Sequence, residues 1–216
     1  MQLPFAFLLA MSLALIAAHL PDVLADSPST THNIVVDDTD GSPDGVYKVI
    51  YSPPDVWKAG SAKGCDGCLV SGIDASKVRN GTWHEAAYDA AHPQQITATI
   101  LFNGDAAAYA GTGISVYGLF PRTNLNATNN VYFFYAIDNS ESQAFGYLNA
   151  TAGYDSSQNS TAAVDYDVSL FGVSGLNASR PHNVTLLVGS GGNPRSAQQQ
   201  DLGLSSIFLL DYVVIM

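Results

Sequence analysis

Cys65 and Cys68 are the only cysteines in the chain, and they form a C-x-x-C in "KGCDGCLVSG". That spacing serves three chemistries: a redox dithiol, half of a metal site, or a covalent staple. A structural zinc needs four ligands, and the sequence holds neither a second C-x-x-C nor a paired His. A thioredoxin-like centre needs a βαβ setting, whereas Gly and Asp flank these cysteines and no helical pattern follows them. The expectation is a local disulfide that contributes about 2 kcal/mol or less through loop entropy. A redox pair, and free thiols or another pairing, stand as the alternatives.

The carboxylates are mostly aspartates, with Glu85 and Glu141 the only glutamates. "DDTDGSPDG" gathers Asp37, Asp38, Asp40 and Asp44. It is not an EF-hand loop, because Val36 holds the first ligand position and no Glu follows at the twelfth. A looser calcium site on Asp38 and Asp40 is the metal expectation, since both share a face if the strand before them continues. The bland reading is an acidic turn. No other cofactor is expected. Catalytic motifs fail: "GVSGL" lacks the last Gly of a nucleophile elbow, "HEAAY" lacks the second His of a zinc protease, and "GTGISV" lacks the third Gly of a dinucleotide loop. Glycoside hydrolysis needs two carboxyls facing across a sugar bond, and no spacing here selects a pair. No catalytic residue is assigned.

Aromatic side chains offer a different chemistry, the stacking of sugar CH faces with a few polar groups to orient them. The candidates are Trp57 in the Pro-rich loop, Trp83 and His84 in "GTWH", and Tyr117 and Tyr132 on strands without a wet face. Each has a structural alternative. Trp83 begins a strand and suits the core. Trp57 can pack its loop, and His84 can bond a backbone carbonyl.

Short β runs separated by Gly, Asn, Pro and Asp must position these groups, and no stretch sustains a 3.6 period. Ten strands are expected: Asn33–Asp37, Val46–Tyr51, Thr82–Ala86, Ile96–Phe102, Gly113–Leu119, Val131–Ile137, Ala144–Leu148, Val164–Leu170, Asn183–Val188 and Ile207–Ile215. They imply an all-β chain, an antiparallel β-sandwich in residues 32–216. In "QITATILF", Ile96, Ala98, Ile100 and Phe102 share a face; in "HNVTLLV", Val184, Leu186 and Val188 do. "TGISVYGLF" and "VYFFYAI" are apolar on both faces. They are either central strands covered by a loop or an aromatic platform.

The first 25 residues read as a secretory signal peptide cleaved after Val23-Leu24-Ala25, and residues 26–31 as a polar linker. A membrane span is the rival, but Pro21 and Asp22 break the apolar run. Six sequons, at Asn80, Asn126, Asn149, Asn159, Asn177 and Asn183, exceed the roughly two that chance allows and fit a secreted glycoprotein. The formal charge of −11 argues against nucleic acid and anionic membrane surfaces.

Several segments form an ordered set: "IVVDDTD", "VIYSPPDVW" followed by the C-x-x-C, "GTWHEA", "GTGISVYGLF", "HNVTLL" and "FLLDYVVI". From Ile34 to Ile215 this order resembles a family of secreted and membrane-anchored proteins of higher fungi. The resemblance implies a jelly roll of the galactose-binding type, whose loops often bind glycans. Relatives frequently continue into a transmembrane helix and a Ser-rich tail, where this chain ends. It also carries Ile215 where they carry an aromatic. The family supplies no reaction.

Three functional readings follow. The first is a non-catalytic extracellular module that binds carbohydrate or a cell-wall component. The second is a structural or adhesive surface protein coated by its own glycans. The third is a polysaccharide-active enzyme.

Overall fold

Period-two alternation forms strands wherever the sequence carries it. The computed structural model describes residues 33–89, 91–92, 94–103, 112–121, 131–140, 144–148, 164–189 and 206–216. The chain divides into Met1–Thr30, outside the described residues, and Thr31–Met216, one compact unit. The expected leader and linker therefore lie outside the described residues.

The strands are β1 (Ile34–Asp37), β2 (Val49–Ser52), β3 (Lys58–Ser61), β4 (Gly64–Cys65), β5 (Thr82–Tyr88), β6 (Ile96–Asn103), β7 (Gly113–Pro121), β8 (Val131–Ile137), β9 (Ala144–Leu148), β10 (Val164–Ser174), β11 (Pro181–Val188) and β12 (Ser206–Ile215). One sheet runs β10-β7-β12-β5-β3-β4, with β1 also on β12; the other runs β2-β6-β11-β8-β9. Every pairing is antiparallel. The architecture is an antiparallel β-sandwich of jelly-roll-like form, with no α-helix among the described residues.

All ten expected strands are present, and β3 and β4 are additional. Ala59, Gly60 and Ser61 have little strand propensity of their own. Here tertiary packing decides: a Cβ on Gly60 would stand 2.1–2.4 Å from the Trp83 indole, so only glycine lets that ring lie on the strand.

Ile96, Ala98, Ile100 and Phe102 of β6 are each at most 1% exposed and meet Ile114, Val116, Phe133, Val184, Leu186 and Phe208 between the sheets. A second cluster lies on the outer face of the larger sheet. Leu119, Ile207, Leu209 and Trp83 pack there with Val70 and Val78 from the segment after β4. That cover explains why β7 and β12 lack a wet face: they are central strands, apolar inward to the sandwich and outward to a loop.

Candidate functional site

The covering loop is held by two buried carboxylates. Glu85 on β5 accepts from the backbone N–H of Leu69 at 2.6 Å and of Val70 at 3.1 Å. Burial raises the Glu85 carboxyl above the usual carboxylate range, against the pull of those two N–H groups. Asp211 is the extra residue where the β12 register shifts between Leu210 and Tyr212, and this bulge turns it from the ladder toward the loop. It accepts from the Arg79 N–H at 3.0 Å. Burial, reinforced by the charges of Asp38, Asp37 and Asp167 and opposed by that N–H, pushes its carboxyl up to about 7. Between these anchors lie two 3-10 turns, Ala75–Lys77 and Arg79–Gly81, the first capped by Asp74, whose carboxylate accepts from Ser76 N.

Beside the loop the sheet carries a row of tyrosines. Tyr117 on β7 and Tyr212 on β12 are direct cross-strand partners, and their rings stack with centroids 4.7 Å apart and planes 9° apart. The Arg79 guanidinium lies 5.5 Å from the Tyr212 centroid. Tyr212 donates its hydroxyl to Asp167, and burial and that carboxylate raise its pKa. Across the next ladder Tyr117 faces Ser169 of the edge strand β10, a small exposed residue. Tyr166, also on β10, accepts from Asp74 N at 2.7 Å and carries the Lys77 ammonium 5.4 Å from its ring centre. Arginine, two stacked phenols and a serine thus form one line across three strands. Both Tyr117 and Tyr212 are partly exposed.

The first 3-10 turn also borders a cavity of about 450 Å³, a volume usual for small-molecule sites. Its walls include Cys65, Cys68, Val70, Ile73, Asp74 and Trp83. Cys65 and Cys68 are joined as a disulfide, with Cα atoms 5.5 Å apart.

The aromatic candidates separate sharply. Trp57 is 5% exposed and packs against Tyr51 and Phe208 in the main core. Trp83 is 3% exposed, packs in the cluster under the loop, and is among the residues lining the cavity. Neither indole offers an open face to solvent. Tyr117 is the candidate with a partly exposed ring in the stack. Tyr132 is on β8, and its side chain lies outside the described residues.

His84 points inward to a polar cluster at one end of the sandwich. Its Nδ1 meets the Asp38 carboxylate at 2.6 Å, and Tyr51 stacks on its ring at 4.1 Å. Asp38 also accepts from Thr82 Oγ1 at 2.8 Å and Thr39 Oγ1 at 2.9 Å. Burial raises its carboxyl, and the bonds from His84 and Thr82 partly offset this. This geometry corrects the expectation that Asp38 and Asp40 share a face. The strand stops at Asp37 and turns, so Asp38 is buried while Asp40 is exposed. Among the described residues no group of three or more His, Cys, Asp or Glu is placed to hold a metal ion.

Asn80 and Asn177 are exposed, Asn183 is partly buried, and Asn126, Asn149 and Asn159 lie outside the described residues. The sequence reading did not single out Arg79, Tyr166, Asp211 or Tyr212. An Asp inside the apolar run "FLLDYVVI" was the available signal for the bulge. No family model, no curated protein and no solved structure matches this chain.

Proposed function

We propose that the protein is a secreted, non-catalytic glycoprotein module, and that the outer face of its larger sheet binds extracellular or cell-wall carbohydrate. The observation that carries this reading is the Arg79–Tyr212–Tyr117 stack, which ends beside exposed Ser169. A pyranose CH face set against the free side of Tyr117 extends the stack by one layer. Asp167 and Ser169 supply polar partners for its hydroxyls. The electronegative whole, with net charge −11, suits a neutral or cationic glycan better than a polyanion. The motif order that resembles the fungal family, with its glycan-binding loops, supports the same reading.

A glycan array probed with enzymatically deglycosylated protein tests it. Binding to a subset of sugars is expected, with Tyr117→Ala losing roughly tenfold or more in affinity. Silence across the array from a folded protein removes the reading and leaves the structural or adhesive role.

A further inference from the structure

Asn80 begins the sequon Asn80-Gly81-Thr82 in the second 3-10 turn. It is exposed, and its amide makes no hydrogen bond among the described residues. Its backbone is left-handed, with φ 49°, a conformation that Asn tolerates better than most residues. Asn80 also borders a second cavity, of about 460 Å³, whose other lining residues include Val35, Asp40, Gly41, Pro43 and Arg79. The turn after β1 that contributes to this cavity is fixed by its own bonds. Asp37 Oδ1 accepts from Thr39 N at 3.1 Å and from Asp40 N at 2.9 Å, Asp37 and Gly41 pair through their backbones, and Ser42 Oγ accepts from Tyr47 N at 2.9 Å. The sequon's own Thr82 donates to Asp38 Oδ1 at 2.8 Å, which ties the Asn80 turn to the turn after β1. Ile34 and Val36 point into the core, so Val35 falls on the outer face of the sheet, where it is partly exposed.

The occupant follows from the covalent linkage rather than from the wall. The first unit of an N-glycan is N-acetylglucosamine, bonded to the Asn amide nitrogen and so only a few bonds from the backbone. Being tethered, it meets the cavity at an effective concentration on the order of millimolar. Contacts too weak to hold a free sugar are then enough to seat it. We propose that the cavity beside Asn80 seats the first N-acetylglucosamine of the chain's own glycan, with the apolar side of that sugar against Val35 and Pro43. This seat rests on the glycoprotein part of the reading above and not on the tyrosine face. It has a consequence for that face. Asp37 is the direct cross-strand partner of Tyr212, and the Arg79 guanidinium lies over the Tyr212 ring. The seated glycan therefore borders the tyrosine row at its Arg79 end and leaves the Tyr117 end to an outside sugar.

The test uses the full chain made in a secretory host that adds high-mannose glycans, then trimmed to one N-acetylglucosamine at each occupied site. Mass spectrometry is expected to find Asn80 occupied. Asn80→Gly removes this sugar alone and still suits the left-handed backbone. The trimmed wild type is expected to melt above trimmed Asn80→Gly by about 2 °C or more beyond the difference between the same two proteins made without glycans. Val35→Ser, at a partly exposed position, is expected to remove at least half of that extra difference, and to act independently of Asn80→Gly when no glycan is present. If Val35→Ser fails to fold, Pro43→Ala at an exposed position takes its place. A nuclear Overhauser contact between the acetamido methyl on Asn80 and the Val35 methyls is expected as well. An unoccupied Asn80, or the same melting difference with and without glycans, overturns the seat. So does an extra difference that neither Val35→Ser nor Pro43→Ala reduces, since the sugar then acts without touching the cavity. None of these results bears on the tyrosine face, which the array with deglycosylated protein decides. If no sequon is occupied in that host, the seat and the glycoprotein reading fall together.

Discussion

Asp211 sits in a bulge with its carboxyl held near neutrality, and this makes one residue a reporter of pH. Its folded pKa, about 7, lies above the usual value of 3.8. A raised acid stabilises the fold below the unfolded pKa and loses that contribution as pH rises through the folded one. Asp38 and Glu85 shift in the same direction. Stability is therefore expected to fall between about pH 4 and pH 7. Asp211→Asn keeps an acceptor for the Arg79 N–H and removes the buried charge. It is expected to flatten that slope and to gain about 1–2 kcal/mol at pH 7.5, read by urea unfolding at several pH values. A steeper slope in the variant, or none in the wild type, contradicts the assignment. Asp138 runs the other way. Burial pushes its carboxyl up, but bonds from His182 and the Asn183 N–H, with the His182 and Arg180 charges, hold it below the usual range. Its contribution is present above pH 4 and lost below. The sequons also divide at this scale. Asn177 uses its carbonyl oxygen on Ser179 N and Oγ, while Asn183 donates Nδ2 to Asn139 at 3.1 Å. Peptide mapping is expected to find glycan on Asn80 and Asn177 ahead of Asn183, since a glycan there must displace the Asn139 bond.

The strands were legible because period two leaves a mark that β6 and β11 carry without interruption. Their inward residues match the expected faces at every position from Ile96 to Phe102 and from Val184 to Val188. Less was readable where tertiary contacts override local preference. β3 and β4 exist because Gly60 admits the Trp83 ring, and no propensity announces that. The tyrosine stack depends on the register of β7 against β12, set by a bulge, and a sequence pattern holds no such cross-strand pairing. Trp57 and Trp83 fit a sugar platform by residue type, yet both are enclosed, one by the sandwich and one by the loop. The double apolar face of β7 had two readings, and both have a place: Leu119 is covered together with Leu209 of β12, while Tyr117 and its partner Tyr212 remain partly open. If the loop is a true second layer, Leu209→Ala should cost about 2–5 kcal/mol, as for a core leucine, although Leu209 points away from the main core. A loss under about 0.5 kcal/mol in chemical denaturation means the loop does not enclose it.

At the scale of the molecule, the two sheets bury their alternating faces on each other, and one outer face is left to do something else. On the larger sheet that face carries a loop clipped by Glu85 and Asp211, a cavity bordered by that loop, and a pair of stacked phenols. Strands hold the tyrosines, so on the proposed reading a ligand would meet a surface already in shape and lose little to ordering it. Among the described residues no helix is long and apolar enough to cross a membrane. The most direct test is an equilibrium titration of the deglycosylated protein with the oligosaccharide ranked first on the array, comparing wild type with Tyr117→Ala at matched melting temperature. The account predicts a loss of tenfold or more in affinity in the variant. Equal affinity in the two proteins contradicts it.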